Sequence, residues 1–241
     1  MKEVGYYLKN VDEDLIRYVE ENVFPKYEPN DKAHGIIHIR EVIRRSFVLN
    51  DECNLGLNPN LVYAVAACHD LGKYINSDIH EKIAAKTFFK DENMKRFFSD
   101  EERVTIREAI EDHRSSKEDE PRSTYGKLLS SADRNASIEM VFIRSFFVAK
   151  AKLPDMNIEE YLDYTWKRLS KRYSVDDPEN MFYEDETYRK FLAEMRALLK
   201  DEKRFKDRYC EVNHIQSREH IVAQEAGETN YLKRKDGHGE R

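Results

Sequence analysis

The run LVYAVAAC from Leu61 to Cys68 is apolar on nearly every face of a helix, so a helix built on it has to be buried on all sides. Asn58-Pro59 ahead of it supplies an N-cap and a first helical residue, and Gly72 behind it supplies a stop, which predicts a helix over Leu61 to Asp70. That helix ends on His69-Asp70. A carboxylate there loses its hydration and also faces the negative end of the helix dipole, so something positive must stand beside it. Arginine or lysine could serve. A divalent cation would satisfy the imidazole and the carboxylate together, and mixed His/Asp ligation suits Mn, Fe, Co, Ni or Zn.

The rest of the chain reads as helices packed around this one. Glycine (8) and proline (6) are scarce in 241 residues, and Glu, Lys, Arg, Leu and Ala fill the periodic stretches, which predicts an all-α fold with short connections. Helical patterns cover roughly Asp12 to Phe24, Ile36 to Leu49, Ser77 to Phe89, Glu101 to His113, Gly126 to Ala149, Ile158 to Arg172 and Glu186 to Lys203, with a turn-forming segment from Pro25 to Gly35. This length suits one core, expected over residues 1–203, followed by a polar tail or arm over 204–241.

Formal charge is 41 minus 47, or −6, with both signs interspersed, which disfavours a nucleic-acid polymer as partner. The longest greasy stretch after the buried helix, Met140 to Ala151, is interrupted by Arg144 and Lys150, so no membrane span or targeting segment is expected. Cys53, Cys68 and Cys210 are an odd number without CxxC spacing, which points to a reducing, cytoplasmic setting. Asn135-Ala136-Ser137 matches a glycosylation sequon by accident of composition. Phe142, Phe146 and Phe147 give more aromatic surface than one helix face needs, which leaves room for a homodimer contact.

Other ligand-type residues fall on apolar helix faces. His38 lies beside Ile39 and four before Val42. Asp133 sits in the stripe Leu129, Ala132, Ala136, Met140, Ile143, where a helix normally carries a hydrophobe. His113 continues the stripe Ile106, Ala109, Ile110, and His80 precedes Ile83 and Ala84. Four histidines and two aspartates can thus converge on one interior point. An inward histidine is often only a hydrogen-bonded core residue, and for His80 and His113 both readings stand.

At these residues the chain resembles a known family. His38-Ile39-Arg40-Glu41-Val42, then Ala66-Ala67-Cys68-His69-Asp70-Leu71-Gly72-Lys73, then Ser131-Ala132-Asp133-Arg134 are similar to the successive H, HD and D motifs of the HD superfamily of metal-dependent phosphohydrolases, over about Asp31 to Ile143. The resemblance implies a helical bundle in which His38, His69, Asp70 and Asp133 hold a divalent metal, drawn from Mn, Fe, Co, Ni, Mg and Zn. It implies one ion or two per chain. His80 and His113 match positions that hold a second metal in some members and contact phosphate in others. His34-Gly35 stands where many small bacterial members have His followed by Asp, which leaves His34 as a substrate-binding or surface residue.

The implied chemistry is metal-assisted hydrolysis of a small phosphate ester, with a nucleotide as the expected class. Lys73 and Arg134 are candidate catalytic cations, and Arg114 a candidate substrate-binding one. Asp70, Asp112 and Glu81 are all candidate general bases. A di-iron oxygenase using the six-residue His/Asp set is one alternative, and a non-catalytic nucleotide-binding module another, although no ligand is missing. The sequence contains no Walker loop, dinucleotide-binding glycine pattern or nucleophile elbow.

Overall fold

The computed structural model describes residues 4–30, 34–114, 119–134, 136–174 and 181–214. Among them are eleven α-helices and no strand, so the fold is all-α. The chain forms two compact units: residues 1–134 with 179–189, and 135–178 with 190–241.

In the first unit α1 (Val4–Leu8) and α2 (Glu13–Asn22) lead into α3 (Ile36–Glu52), α4 (Pro59–Cys68), α5 (His80–Phe89), α6 (Asp100–Asp112) and α7 (Thr124–Ala132). Every residue of α4 from Leu61 to Cys68 is buried, at 5% exposure or less. Burying Leu61, Val62 and Val65 contributes roughly 1.5–3 kcal/mol each. Asn58 caps the helix by accepting from the Asn60 amide, with Pro59 at the first position. Helix α6 starts with a capping box, in which Ser99 and Glu102 satisfy each other's amides. Gly72 adopts φ +86°, and a Cβ there would lie 2.5 Å from Cγ2 of Ile83, so both backbone shape and space require glycine.

The second unit holds α8 (Ile138–Lys152), α9 (Ile158–Arg172), the later part of α10 (Glu186–Leu199) and α11 (Glu202–Val212). Its core includes Phe142, whose ring packs 5.1 Å from Phe205 and 5.0 Å from Tyr209. Phe142 is therefore internal, while Phe147 remains 65% exposed.

Two expected helices are each divided. Gly126 to Ala149 breaks after Ala132, because Ser137 starts a new helix by accepting from the Met140 amide. The stripe joining Asp133 to Met140 and Ile143 therefore does not exist, and Met140 is 39% exposed. Glu186 to Lys203 breaks at Lys200, where Asp201 caps α11. That helix runs past residue 204, into the stretch expected to be a polar tail, and buries Phe205 and Tyr209. Residues 215–241 and Asn135 of the sequon lie outside the described residues. No helix among the described residues is long and apolar enough to cross a membrane, and the three cysteines are free thiols.

Candidate metal centre

The candidate ligands collect at helix ends. His69 and Asp70 follow the last residue of α4, His113 follows α6 and Asp133 follows α7, while His38 lies in the first turn of α3 and His80 opens α5. Three helix C-termini thus bring partial negative charge toward one place, which favours a cation there.

Backbone contacts fix how the histidines face. Nδ1 of His69 lies 2.8 Å from the Ala66 carbonyl, Nδ1 of His80 lies 2.8 Å from that of Ser77, and Nδ1 of His113 lies 2.6 Å from that of Ile110. A carbonyl only accepts, so each Nδ1 carries a proton, and each ring turns Nε2 inward. Tyr27 donates to the Ala67 carbonyl at 2.8 Å, and Asn30 donates to the Asp70 and His34 carbonyls while accepting from the Tyr74 amide. These contacts satisfy the carbonyls left open at the end of α4 and fix the turn bearing Asp70.

The Asp70 carboxylate stands between two histidine pairs. Its Oδ2 is 3.8 Å from Nε2 of His38 and 3.6 Å from that of His69, while its Oδ1 is 3.2 Å from Nε2 of His80 and 3.9 Å from that of His113. Asp133 Oδ1 is 3.0 Å from Nε2 of His38 and 3.7 Å from that of His69. Three sets have donor atoms within 4.8 Å of one another and could hold a metal ion: His38, His69, Asp70; His69, His113, Asp133; and Asp70, His80, His113. Nε2 of His38, Nε2 of His69 and Oδ1 of Asp70 are buried and lie outside hydrogen-bond geometry. Buried polar atoms left without aligned partners are costly, and a cation among them would remove that cost, so the donor set fits a metal.

Electrostatics agrees. Burial works against the charged form of His69, but the Asp70 and Asp133 carboxylates outweigh it and push the imidazole up to about 8. Burial likewise opposes ionisation of Asp70 and Asp133. The facing histidines prevail and hold both carboxyls below their usual range: His69 and His80 at Asp70, His38 and His69 at Asp133. Burial, then the neighbouring His69, lowers His113 to about 4, which leaves it neutral.

The remaining candidates surround this cluster. Lys73 Nζ reaches within 3.2 Å of the His80 ring and 4.0 Å of Asp70 Oδ1. The His34 ring meets that of His38 edge-on, 6.0 Å between centroids. Arg134 is buried at 8% exposure. Arg114 is 3.6 Å from Glu81 and bonds the Asp78 carbonyl. Both line a cavity of 760 Å³ completed by Lys82, Glu111, Asp119, Glu120 and Arg122. Asp112 is engaged elsewhere: Arg122 donates to it from its amide at 2.9 Å and from its guanidinium at 2.9 and 3.0 Å. A carboxylate so held by arginine is a poor base, which removes Asp112 from the candidates.

The HD domain family model matches residues 35–137, a stretch that contains all six clustered His and Asp residues. An uncharacterized protein of Clostridium beijerinckii is 30% identical over 128 residues, covering 51% of this chain and 77% of the relative. The chain belongs to the HD-domain superfamily. The crystal structure of a predicted HD superfamily hydrolase from an uncultured Thermotogales bacterium aligns with 87% of this chain and 98% of its own, at 16% identity and a TM-score of 0.49. The HD match ends inside the connection between α7 and α8, so the second unit lies almost wholly outside it.

Proposed function

We propose that this HD-domain protein is a metal-dependent phosphohydrolase acting on a small phosphate ester, with nucleotides as the substrate class. The observation that carries the reading is that Nε2 of His38 and Nε2 of His69, both buried and outside hydrogen-bond geometry, converge on the Asp70 carboxylate, with Asp133 closing the set. These four residues would hold the cation, which when bound supplies Lewis acidity toward water and a phosphoryl oxygen.

The protein's own residues do the remaining work. Asp70 stands between both histidine pairs, so its carboxylate can hold and orient a water molecule against them. Lys73 places positive charge within 4.0 Å of Asp70, where it can neutralise phosphate oxygens. Arg134 is buried within one residue of Asp133, so its guanidinium reaches phosphate only from inside the fold. Arg114 and Glu81 belong to the cavity wall, whose volume suits a ligand of nucleotide size. His34, edge-on to His38, can contact the substrate from the opposite side. The family resemblance favours a nucleotide, and the acidic, interspersed surface charge favours a small molecule over a nucleic-acid polymer.

A second reading concerns metal number. The buried Asp70, His80 and His113 form a second set that shares Asp70 with the first, and these residues would hold a second cation. Two irons with near-ultraviolet absorption in purified protein would move the reading toward a di-iron oxygenase.

The test is a screen of protein reconstituted with Mn, Co, Ni, Mg or Zn against nucleoside mono-, di- and triphosphates, alongside Asp133→Asn. Phosphate release by the wild type and its loss in the variant are expected. Equal release by both would overturn the assignment.

A further inference from the structure

Arg45 lies two turns beyond His38 on the same helix, α3, and the two residues face the same end of α7. The Arg45 side chain is 2% exposed. Its Nη1 donates to the carbonyls of Ala132, at 2.8 Å, and Arg134, the two residues that flank Asp133. Helix C-termini leave such carbonyls without intrahelical partners, so one guanidinium fastens the turn on both sides of the Asp133 side chain.

The counter-charge for this buried arginine comes from far along the chain. Asp185, 1% exposed, places Oδ2 at 3.2 Å from Nε of Arg45, and its Oδ1 accepts from the Tyr188 amide at 2.6 Å. Two residues earlier the Tyr183 amide donates to Ser131 Oγ at 3.1 Å. The segment carrying Asp185 thus fastens the last turn of α7 at two points, and it lies outside the HD match that ends at residue 137.

We infer that Arg45 and Asp185 are positioning residues for the metal centre: Asp185 holds the Arg45 guanidinium, which in turn fixes the backbone around Asp133 so that its carboxylate meets His38 and His69. The inference rests on the reading of His38, His69, Asp70 and Asp133 as the ligands of the cation. Asn at 185 can still cap α10 but leaves Arg45 buried without its counter-ion. Lys at 45 keeps the charge but cannot bond two carbonyls in a fixed fork.

The experiment compares wild type, Asp185→Asn, Arg45→Lys and, as a destabilised control away from the turn, Leu15→Ala. Mn²⁺ affinity is measured by electron paramagnetic resonance well below each melting temperature, and amide hydrogen exchange is followed in metal-free protein. Mn²⁺ Kd should rise about tenfold to a hundredfold in Asp185→Asn and Arg45→Lys, the usual cost of losing an outer support of a metal ligand. It should stay at the wild-type value in Leu15→Ala. Exchange should quicken at residues 131–134 while α4 keeps its protection. Unchanged Mn²⁺ affinity in both Asp185→Asn and Arg45→Lys would overturn the inference, whatever happens to melting temperature. A wild type that takes up no Mn²⁺ would overturn the metal reading itself, and the inference with it.

Discussion

Nε2 of His80 and Nε2 of His113 lie 3.3 Å apart, while both rings commit Nδ1 to a backbone carbonyl. Two inward lone pairs at that distance repel each other unless a proton or a cation stands between or beside them, and Lys73 and Asp70 flank the gap. A cation there would relieve the contact, as would a proton on one Nε2 facing Asp70.

The His80→Ala/His113→Ala double variant should therefore lose one of two bound Mn²⁺ equivalents at saturation and keep the other, since His38, His69, Asp70 and Asp133 remain. Metal analysis after gel filtration reads the outcome. Full retention of metal with a joint fall in substrate affinity and rate would assign the pair to phosphate instead. Retention with unchanged kinetics would make both ordinary core residues.

His69→Ala and Asp70→Ala should each abolish tight metal binding, because each removes a donor and leaves its neighbours buried without a cation. Adding Mn²⁺ or Co²⁺ should raise the melting temperature of the wild type but not of these variants. Wild-type stoichiometry in both variants would be incompatible with the proposed centre.

Stability of the metal-free protein should fall on either side of neutrality. His69 is raised to about 8, above the unfolded value near 6.5, so its contribution is complete below 6.5 and is lost as pH rises through 8. His113 is lowered to about 4, so the unfolded chain binds the extra proton between 6.5 and 4 and stability falls as pH drops through that window. Denaturant melts at several pH values check both slopes. His69→Gln should flatten the alkaline one and His113→Gln the acidic one. Metal affinity should rise with pH up to about 8, because the cation displaces the His69 proton.

Gly72→Ala should lower stability by roughly 2–5 kcal/mol, combining a left-handed backbone forced on alanine with the overlap on Ile83. Because Gly72 closes the turn carrying Asp70, metal affinity should fall as well. A variant with wild-type melting and metal binding would show that the turn relaxes freely.

The sequence alone determined the all-α class, the central burial of the Leu61 to Cys68 helix and the residues that meet around Asp70. Those properties are local: apolar residues on every helix face compel burial, and a His-Asp pair at the end of such a helix demands a positive partner wherever the rest of the chain goes. His38, His80 and His113 were legible as inward positions because each continues an apolar face of its own helix. Asp133 matches the family's D motif and meets His38 and His69 in space, but the continuous stripe expected around it is not there. Ser137 ends that continuity by capping a second helix, a local signal that apolar periodicity does not register. Only the tertiary structure decided the rest. It ties Asp112 to Arg122, ten residues away in the sequence, and so takes that carboxylate out of the chemistry. It brings Asp185 against Arg45 across 140 residues, and no periodicity records such a contact, because a buried ion pair depends on where two distant backbones happen to meet rather than on the pattern around either residue.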